Sequence, residues 1–279
     1  MTLVYRCDEH VIDSALERLK EDGLVAHDAW FNDAAPEGLR REVAYRDFDF
    51  LSRLCRVAET ETVRSILAWL KQAGVVTWEA SYDERACDAF RLEVKEAFSM
   101  PGSSITPVME RLLYALSAVR RPKRVVGLGT YYGYALVFAI GASCGQGRSY
   151  EPHGVVGIDI DEEATDQARR NVGRLAHTGH VELMVEDAMA AVERLEGPFD
   201  YVYIDVESRS LGKGLYLDLL RRLSGKIEAE GWVLAHDTTA SPFAKELQPY
   251  LAYVRDHRCF RESISFDVDP YGLELSVKR

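Results

Sequence analysis

Cysteine is scarce in this chain: five residues, at Cys7, Cys55, Cys87, Cys144 and Cys259, are scattered over 279 positions with no C-x-x-C spacing. That odd, dispersed set excludes a disulfide scaffold and a thiolate metal cluster, and it sets a reducing cytoplasm as the expected compartment. No apolar run reaches the length of a membrane span. The opening "MTLVYRCDEH" has neither the basic start nor the long apolar core of a signal peptide. Positive charge is also short. Against 45 Asp and Glu stand 34 Lys and Arg, a formal net charge of −11, which opposes association with nucleic acid or an anionic membrane surface. Internal repeats and low-complexity tracts are absent. What remains is an ordinary globular composition, 47% hydrophobic and 28% charged, suited to a small-molecule enzyme or a protein-binding module.

The pattern changes at "SMPGSS", residues 99–104, where Pro and Gly interrupt it. Before the break, apolar residues recur at helical spacing. "HVIDSALERLKEDG" and "TETVRSILAWLKQAGVV" read as amphipathic helices closed by Gly23 and Gly74, and "EGLRREVAYRDFDFLSRLCRVAE" as one or two more. After it, "RVVGL", "GVVGIDI", "VELMV", "DYVYID" and "GWVLAH" read as strands separated by helical segments. Near-continuous Val/Ile/Leu strands alternating with helices imply a parallel sheet covered on both faces. The final runs "FRESISFDV" and "YGLELSVK" are joined too closely to be parallel, so they form an antiparallel hairpin. The division expected is a mostly helical region over residues 1–98 and an α/β domain over 99–279.

The loop after "RVVGL" carries the chemistry. Gly127, Gly129 and Gly133 allow a sharp turn and close approach of backbone to a ligand, and the helix that follows offers unpaired N–H groups. Glycine at such a turn also serves the turn alone. The next strand ends in Asp159 and Asp161. Asp161 suits the N-cap of the helix beginning "EEATDQA", leaving Asp159 as the acceptor for ribose hydroxyls. A third strand end places Asp187 and Ala188 where an adenine would lie. Three successive strand ends favour a nucleoside ligand. A nicotinamide cofactor is the alternative for the same glycines, but no Tyr here has Lys four positions later, as a short-chain dehydrogenase would need.

On "ITPVMERLLYALSAVRRPKRVVGLGTYYGYA", "GIDIDEEATDQARRNV", "EDAMA", "FDYVYID", "GWVLAHD" and the closing hairpin, the chain from residue 104 onward resembles the class I S-adenosylmethionine-dependent methyltransferases, and within them the catechol and caffeoyl-CoA O-methyltransferases. The resemblance implies a Rossmann-like α/β fold, a seven-stranded, mostly parallel sheet with a C-terminal antiparallel hairpin. It implies that Gly127, Gly129, Thr130, Tyr131 and Gly133 hold the methionine end of S-adenosyl-L-methionine. Asp159, Ile160, Asp187 and Ala188 would hold the ribose and adenine, with Asp205 alongside. In metal-dependent members an Asp after the fourth strand and an Asp-Asn pair after the fifth bind the ion. The matching positions are Asp205, Asp237 and Thr238, a set for Mg²⁺. The chain departs from that pattern at Gly127, where the family has an acid, at Thr238, where it has Asn, and at Ser208, where it has Lys; Arg209 and Lys213 lie nearby.

The expected function is methyl transfer to a small-molecule acceptor at a hydroxyl oxygen, with Asp205, His236 and Asp237 as the catalytic set. His236 is read either as a general base beside Asp237 or, since strand alternation sends neighbours to opposite faces, as a packing residue. The alternatives are metal-free N- or C-methylation and a cofactor-binding protein without activity. The N-terminal helices are read as a lid over the acceptor or a homodimerisation element, with Trp30, Phe31, Phe48 and Phe50 as a roof or core. "TETVRSILAWLKQAGVVTWEA" also has a helix-then-strand look, that of a winged helix without the basic face for DNA.

Overall fold

The computed structural model describes residues 3–6, 17, 48–100 and 105–279. Apart from residue 17, which is helical, the expected helix at residues 10–23 lies outside the described residues, as do the side chains of Trp30, Phe31, Phe48 and Phe50. The strands are β1 (Leu3–Arg6), β2 (Arg124–Leu128), β3 (Gly154–Asp159), β4 (Val181–Val185), β5 (Phe199–Ile204), β6 (Ile227–His236), β7 (Phe260–Asp267) and β8 (Leu273–Lys278). They form one sheet in the order β1-β7-β8-β6-β5-β2-β3-β4. Strands β2 to β6 are mutually parallel. β8 runs antiparallel to both β6 and β7, so the C-terminal hairpin is as expected. The seven-stranded sheet gains an eighth, edge strand, because β1 pairs in parallel with β7 from Leu3 opposite Ile264 to Arg6 opposite Asp267. Four residues are too few for a periodicity to announce them.

The helices are α1 (Phe48–Gln72), α2 (Glu84–Ala97), α3 (Pro107–Arg120), α4 (Tyr134–Ala139), α5 (Glu162–Val172), α6 (Ala188–Arg194), α7 (Tyr216–Leu223) and α8 (Ala244–Val254). Two compact units result, one of Met1–Arg6 with Leu70–Arg279 and one of Cys7–Trp69. α1 runs unbroken where two helices were expected. Thr60 does not end it, because its hydroxyl donates back to the Arg56 carbonyl at 2.8 Å, satisfying itself within the helix. Past Gly74 the chain turns and forms no strand, so the winged-helix reading does not hold.

Local chemistry sets the helix starts of the sheet unit. Thr106 caps α3 with Pro107 at its first position, and Asp161 caps α5 by accepting from the Ala164 amide at 2.9 Å. On α7, Tyr216, Leu219, Leu220 and Leu223 are buried, the stripe of a helix laid on a sheet. β5 is buried along its whole length, as a central parallel strand must be. Its flank residues pack with Val126, Leu128, Leu247 and Tyr250 into the main core.

The sheet reverses its winding between β2 and β5, the switch point where ligands bind at the carboxyl ends of strands. There the Asp205 amide donates to the Leu128 carbonyl at 2.8 Å. Gly129 has φ of 79°, and a Cβ on it would stand 2.3 Å from the Asp205 carbonyl oxygen. The two loops therefore approach only because residue 129 lacks a side chain. Gly129→Ala is expected to destabilise the fold by about 2 kcal/mol or more, read as a lowered denaturation midpoint in urea; an unchanged midpoint would show that the approach is not constrained.

Candidate active site

Five strand ends meet at one cavity of about 980 Å³. β2 contributes Gly129 and the loop residue Tyr131; β3 contributes Asp159, Ile160 and Asp161; β4 contributes Glu186, Asp187 and Ala188; β5 contributes Asp205; β6 contributes His236 and Asp237. Convergence follows from the parallel topology, since every carboxyl end points the same way.

On the β3 side, Asp159 binds its own loops. One carboxylate oxygen accepts from the Tyr131 amide at 2.6 Å and the other from the Asp161 amide at 3.0 Å. A carboxylate has about four acceptor positions, so capacity remains toward the cavity. Ile160 presents an apolar side chain 70% exposed at the mouth. Asp187 caps α6 by accepting from the Ala190 amide at 3.0 Å while lining the cavity. Three of the predicted residues sit elsewhere. Gly127 lies inside β2, buried, where a Cβ would meet the tip of the Leu136 side chain, Cδ1, at 2.7 Å, so a side chain there requires Leu136 to shift. Thr130 is buried beneath the loop, and Gly133 caps α4 in a left-handed conformation. None of the three lines the cavity.

On the β5–β6 side, four charged or titratable groups close on one another. The Lys213 ammonium stands 2.7 Å from Asp205 Oδ1 and 2.8 Å from Asp237 Oδ2. His236 Nδ1 stands 3.3 Å from both Asp205 Oδ2 and Asp237 Oδ1. Each carboxylate thus gives one oxygen to the lysine and the other to the histidine. His236 and Lys213 are each 2% exposed, and the buried His236 Nε2 has no hydrogen-bond partner. Strand alternation would have separated His236 from Asp237. It does not, because β6 ends at His236 and Asp237 takes a left-handed φ of 63°, turning its side chain back beside its neighbour's. A non-glycine residue in that region is strained and is held by its surroundings.

Burial favours the neutral forms of these groups, and the partners reverse it. Desolvation would raise the Asp205 pKa, yet His236 and Lys213 hold it well below the carboxylate range. Desolvation would lower His236 and Lys213, yet Asp205 and Asp237 raise both above their usual values. Lys213 is therefore a fixed cation and His236 a histidine of raised basicity.

Sequence reasoning noted Lys213 without placing it. It arrives through the loop after β5, closed by paired backbone hydrogen bonds of 2.8 Å between Ser208 and Gly212. Glu246, on α8, accepts from the Lys213 amide at 2.8 Å. The ammonium also lies 5.5 Å from the Phe243 ring centroid and 5.7 Å from that of Tyr216, near two electron-rich faces. Tyr271, from the β7–β8 turn, brings its ring to 6.1 Å from His236 and was not anticipated either. Of the expected metal set, Asp205 and Asp237 come together, whereas Thr238 is buried outside the cavity lining.

Comparison with known proteins agrees with this architecture. A family described as a methyltransferase domain matches residues 126–238. A catechol O-methyltransferase of Niastella koreensis is 27% identical over 130 residues, covering 45% of this chain and 56% of that protein. The chain spans about half the length of the curated relatives it matches. Among solved structures, cofactor-bound Rv0187 from MTB superposes with a TM-score of 0.55 at 19% identity, over 77% of this chain and 96% of that one. The O-methyltransferase from Bacillus cereus in complex with SAH gives 0.52 at 14% identity, over 77% and 97%. The sheet order and the cavity at the switch point thus accompany a match to a methyltransferase domain over residues 126–238.

Proposed function

We propose that the chain transfers a methyl group from S-adenosyl-L-methionine to a hydroxyl oxygen of a small-molecule acceptor. One observation carries this reading: Asp159, a strand-end carboxylate, and His236, a buried imidazole with an unpartnered Nε2, line the same cavity. Asp159, Ile160, Asp187 and Ala188 fit a nucleoside, offering acceptors at two strand ends and an exposed apolar face for a purine. The cofactor supplies a methyl on a sulfonium sulfur, and the S–C bond breaks as the O–C bond forms.

His236 takes the acceptor's proton at Nε2 while its Nδ1–H stays pointed at the carboxylates of Asp205 and Asp237. With His236 neutral, two carboxylates and one ammonium leave the cluster one negative charge, and proton uptake cancels it. That is why the cluster raises the basicity of the imidazole. A sulfonium charge in the same cavity would oppose the imidazolium and lower that raised pKa.

A divalent ion, the other expectation, does not fit the donor set as it stands. Asp205, His236 and Asp237 offer ligand atoms within 4.8 Å of one another, but all four carboxylate oxygens already face Lys213 or His236. The Lys213 ammonium fills the space between the two carboxylates and already offsets one of their charges, so a dication would have to displace it from a paired, buried position. Methyl transfer is therefore derived without it.

Asp159→Ala is expected to weaken S-adenosylhomocysteine binding by about ten- to a hundred-fold, the worth of charge-assisted hydrogen bonds, measured by isothermal titration with the circular dichroism unchanged. Equal affinity would remove Asp159 from the site. His236→Gln should lower kcat by roughly 10²- to 10⁴-fold while leaving that affinity intact. The pH profile follows from the raised pKa of His236: the base form accumulates only above it. In the free enzyme kcat/KM should thus climb through a pKa above 6.5, and the limb should vanish in His236→Gln. A wild-type limb at or below 6.5 would contradict the base assignment.

A further inference from the structure

We infer that Lys213 is the resident cation of the acidic cage, and that its ammonium closes a divalent-cation site that Asp205, His236 and Asp237 would otherwise form. The inference deepens the methyltransferase reading, on which its catalytic meaning rests, but its geometry stands apart from that reading. Three side chains with ligand atoms within 4.8 Å of one another are sufficient to begin a cation site. The lysine sits among them, 2.7 and 2.8 Å from one oxygen of each carboxylate, contacts at charged hydrogen-bond distance.

The lysine is also built in. Its side chain is enclosed, its amide is held by Glu246 from α8, and the Ser208–Gly212 bridge fixes the turn that delivers it. Phe243 and Tyr216 flank the ammonium with their rings. An ammonium so held cannot be swung aside without exposing two facing carboxylates to each other. Lys213 is a positioning residue: it fixes the carboxylates that orient His236 and supplies a positive charge that no chelator removes. Truncating it would leave two carboxylates and an imidazole nitrogen around a vacated volume, a hard-ligand set suited to Mn²⁺ or Mg²⁺.

The test is a Mn²⁺ titration of chelator-treated, dialysed protein, with free ion read from its electron paramagnetic resonance signal. Wild type is expected to show no saturable site through the low millimolar range. Lys213→Ala should take up one Mn²⁺ per chain at least about ten-fold more tightly, and Lys213→Ala with Asp237→Asn should lose it. A wild-type Mn²⁺ site that disappears in Asp205→Asn would overturn the inference. So would a folded Lys213→Ala protein that binds none. If the alanine variant does not fold, Lys213→Ser, which also vacates the volume, takes its place, and the wild-type titration still decides. S-adenosylhomocysteine titrated into the same wild-type sample separates the two readings. Failure of the nucleoside to bind counts against the methyltransferase, whereas the Mn²⁺ pattern alone judges the lysine.

Discussion

The ammonium of Lys213, held between Asp205 and Asp237, is the contact on which the β5–β6 side of the cavity depends. It ties the end of β5 to the end of β6, and through Glu246 it ties both to α8. Without a cation the two carboxylates would repel each other, and each would face a desolvation penalty of several kcal/mol. With it, their free oxygens are left facing the histidine. Such clusters contribute little net stability compared with apolar packing of the same volume. Their worth lies in geometry, since an imidazole held by two carboxylates has a fixed tautomer and a raised pKa.

That arrangement needs the strands to deliver their ends to within a few ångströms. Parallel pairing aligns β2 through β6, and the reversal of winding between β2 and β5 opens the crevice between them. Gly129 then permits the β2 loop to rest on the backbone of Asp205. The residue that anchors the charged cluster is thus also the one on which the β2 loop rests. The two sides of the cavity share a backbone contact, so displacement of one is felt by the other.

The sheet and the strand ends on the β3 side of the cavity were legible because short-range rules decide them. Val/Ile-rich runs alternate with helical stripes, Asp161 is a cap by position, and Asp159 is what remains once the cap is assigned. The charged cluster was half legible. Asp205, His236 and Asp237 stand at strand ends, but alternation argues that the last two diverge. Only the left-handed φ of Asp237 brings them together, and no local signal marks an Asp for that conformation. Lys213 was hidden for another reason: it lies eight positions beyond Asp205 along a loop, and its position is set by α8, which is distant in sequence. Gly127 misled in the opposite sense. Read as part of the ligand loop, it belongs to the strand, where Leu136 fills the space a side chain would take. The edge strand β1 and the unbroken α1 fail similarly. One is set by a partner far along the chain, Leu3 opposite Ile264, the other by a threonine that satisfies its own hydroxyl.

A lysine and a divalent ion in the same cage divide the work of catalysis differently. A metal binds the acceptor oxygen and lowers that oxygen's own pKa, so the protein needs only a modest base. An ammonium polarises less and offers no open coordination positions. Deprotonation then falls to the base, whose proton affinity must be set by its neighbours. In this chain the two features occur together: the cation is covalently part of the fold, and the adjacent histidine is raised in basicity by the same two carboxylates that hold it. Under the proposed reaction each accounts for the other. Fixing the cation in the chain secures the cluster's charge, and the net negative charge that remains when His236 is neutral is what draws the proton to it.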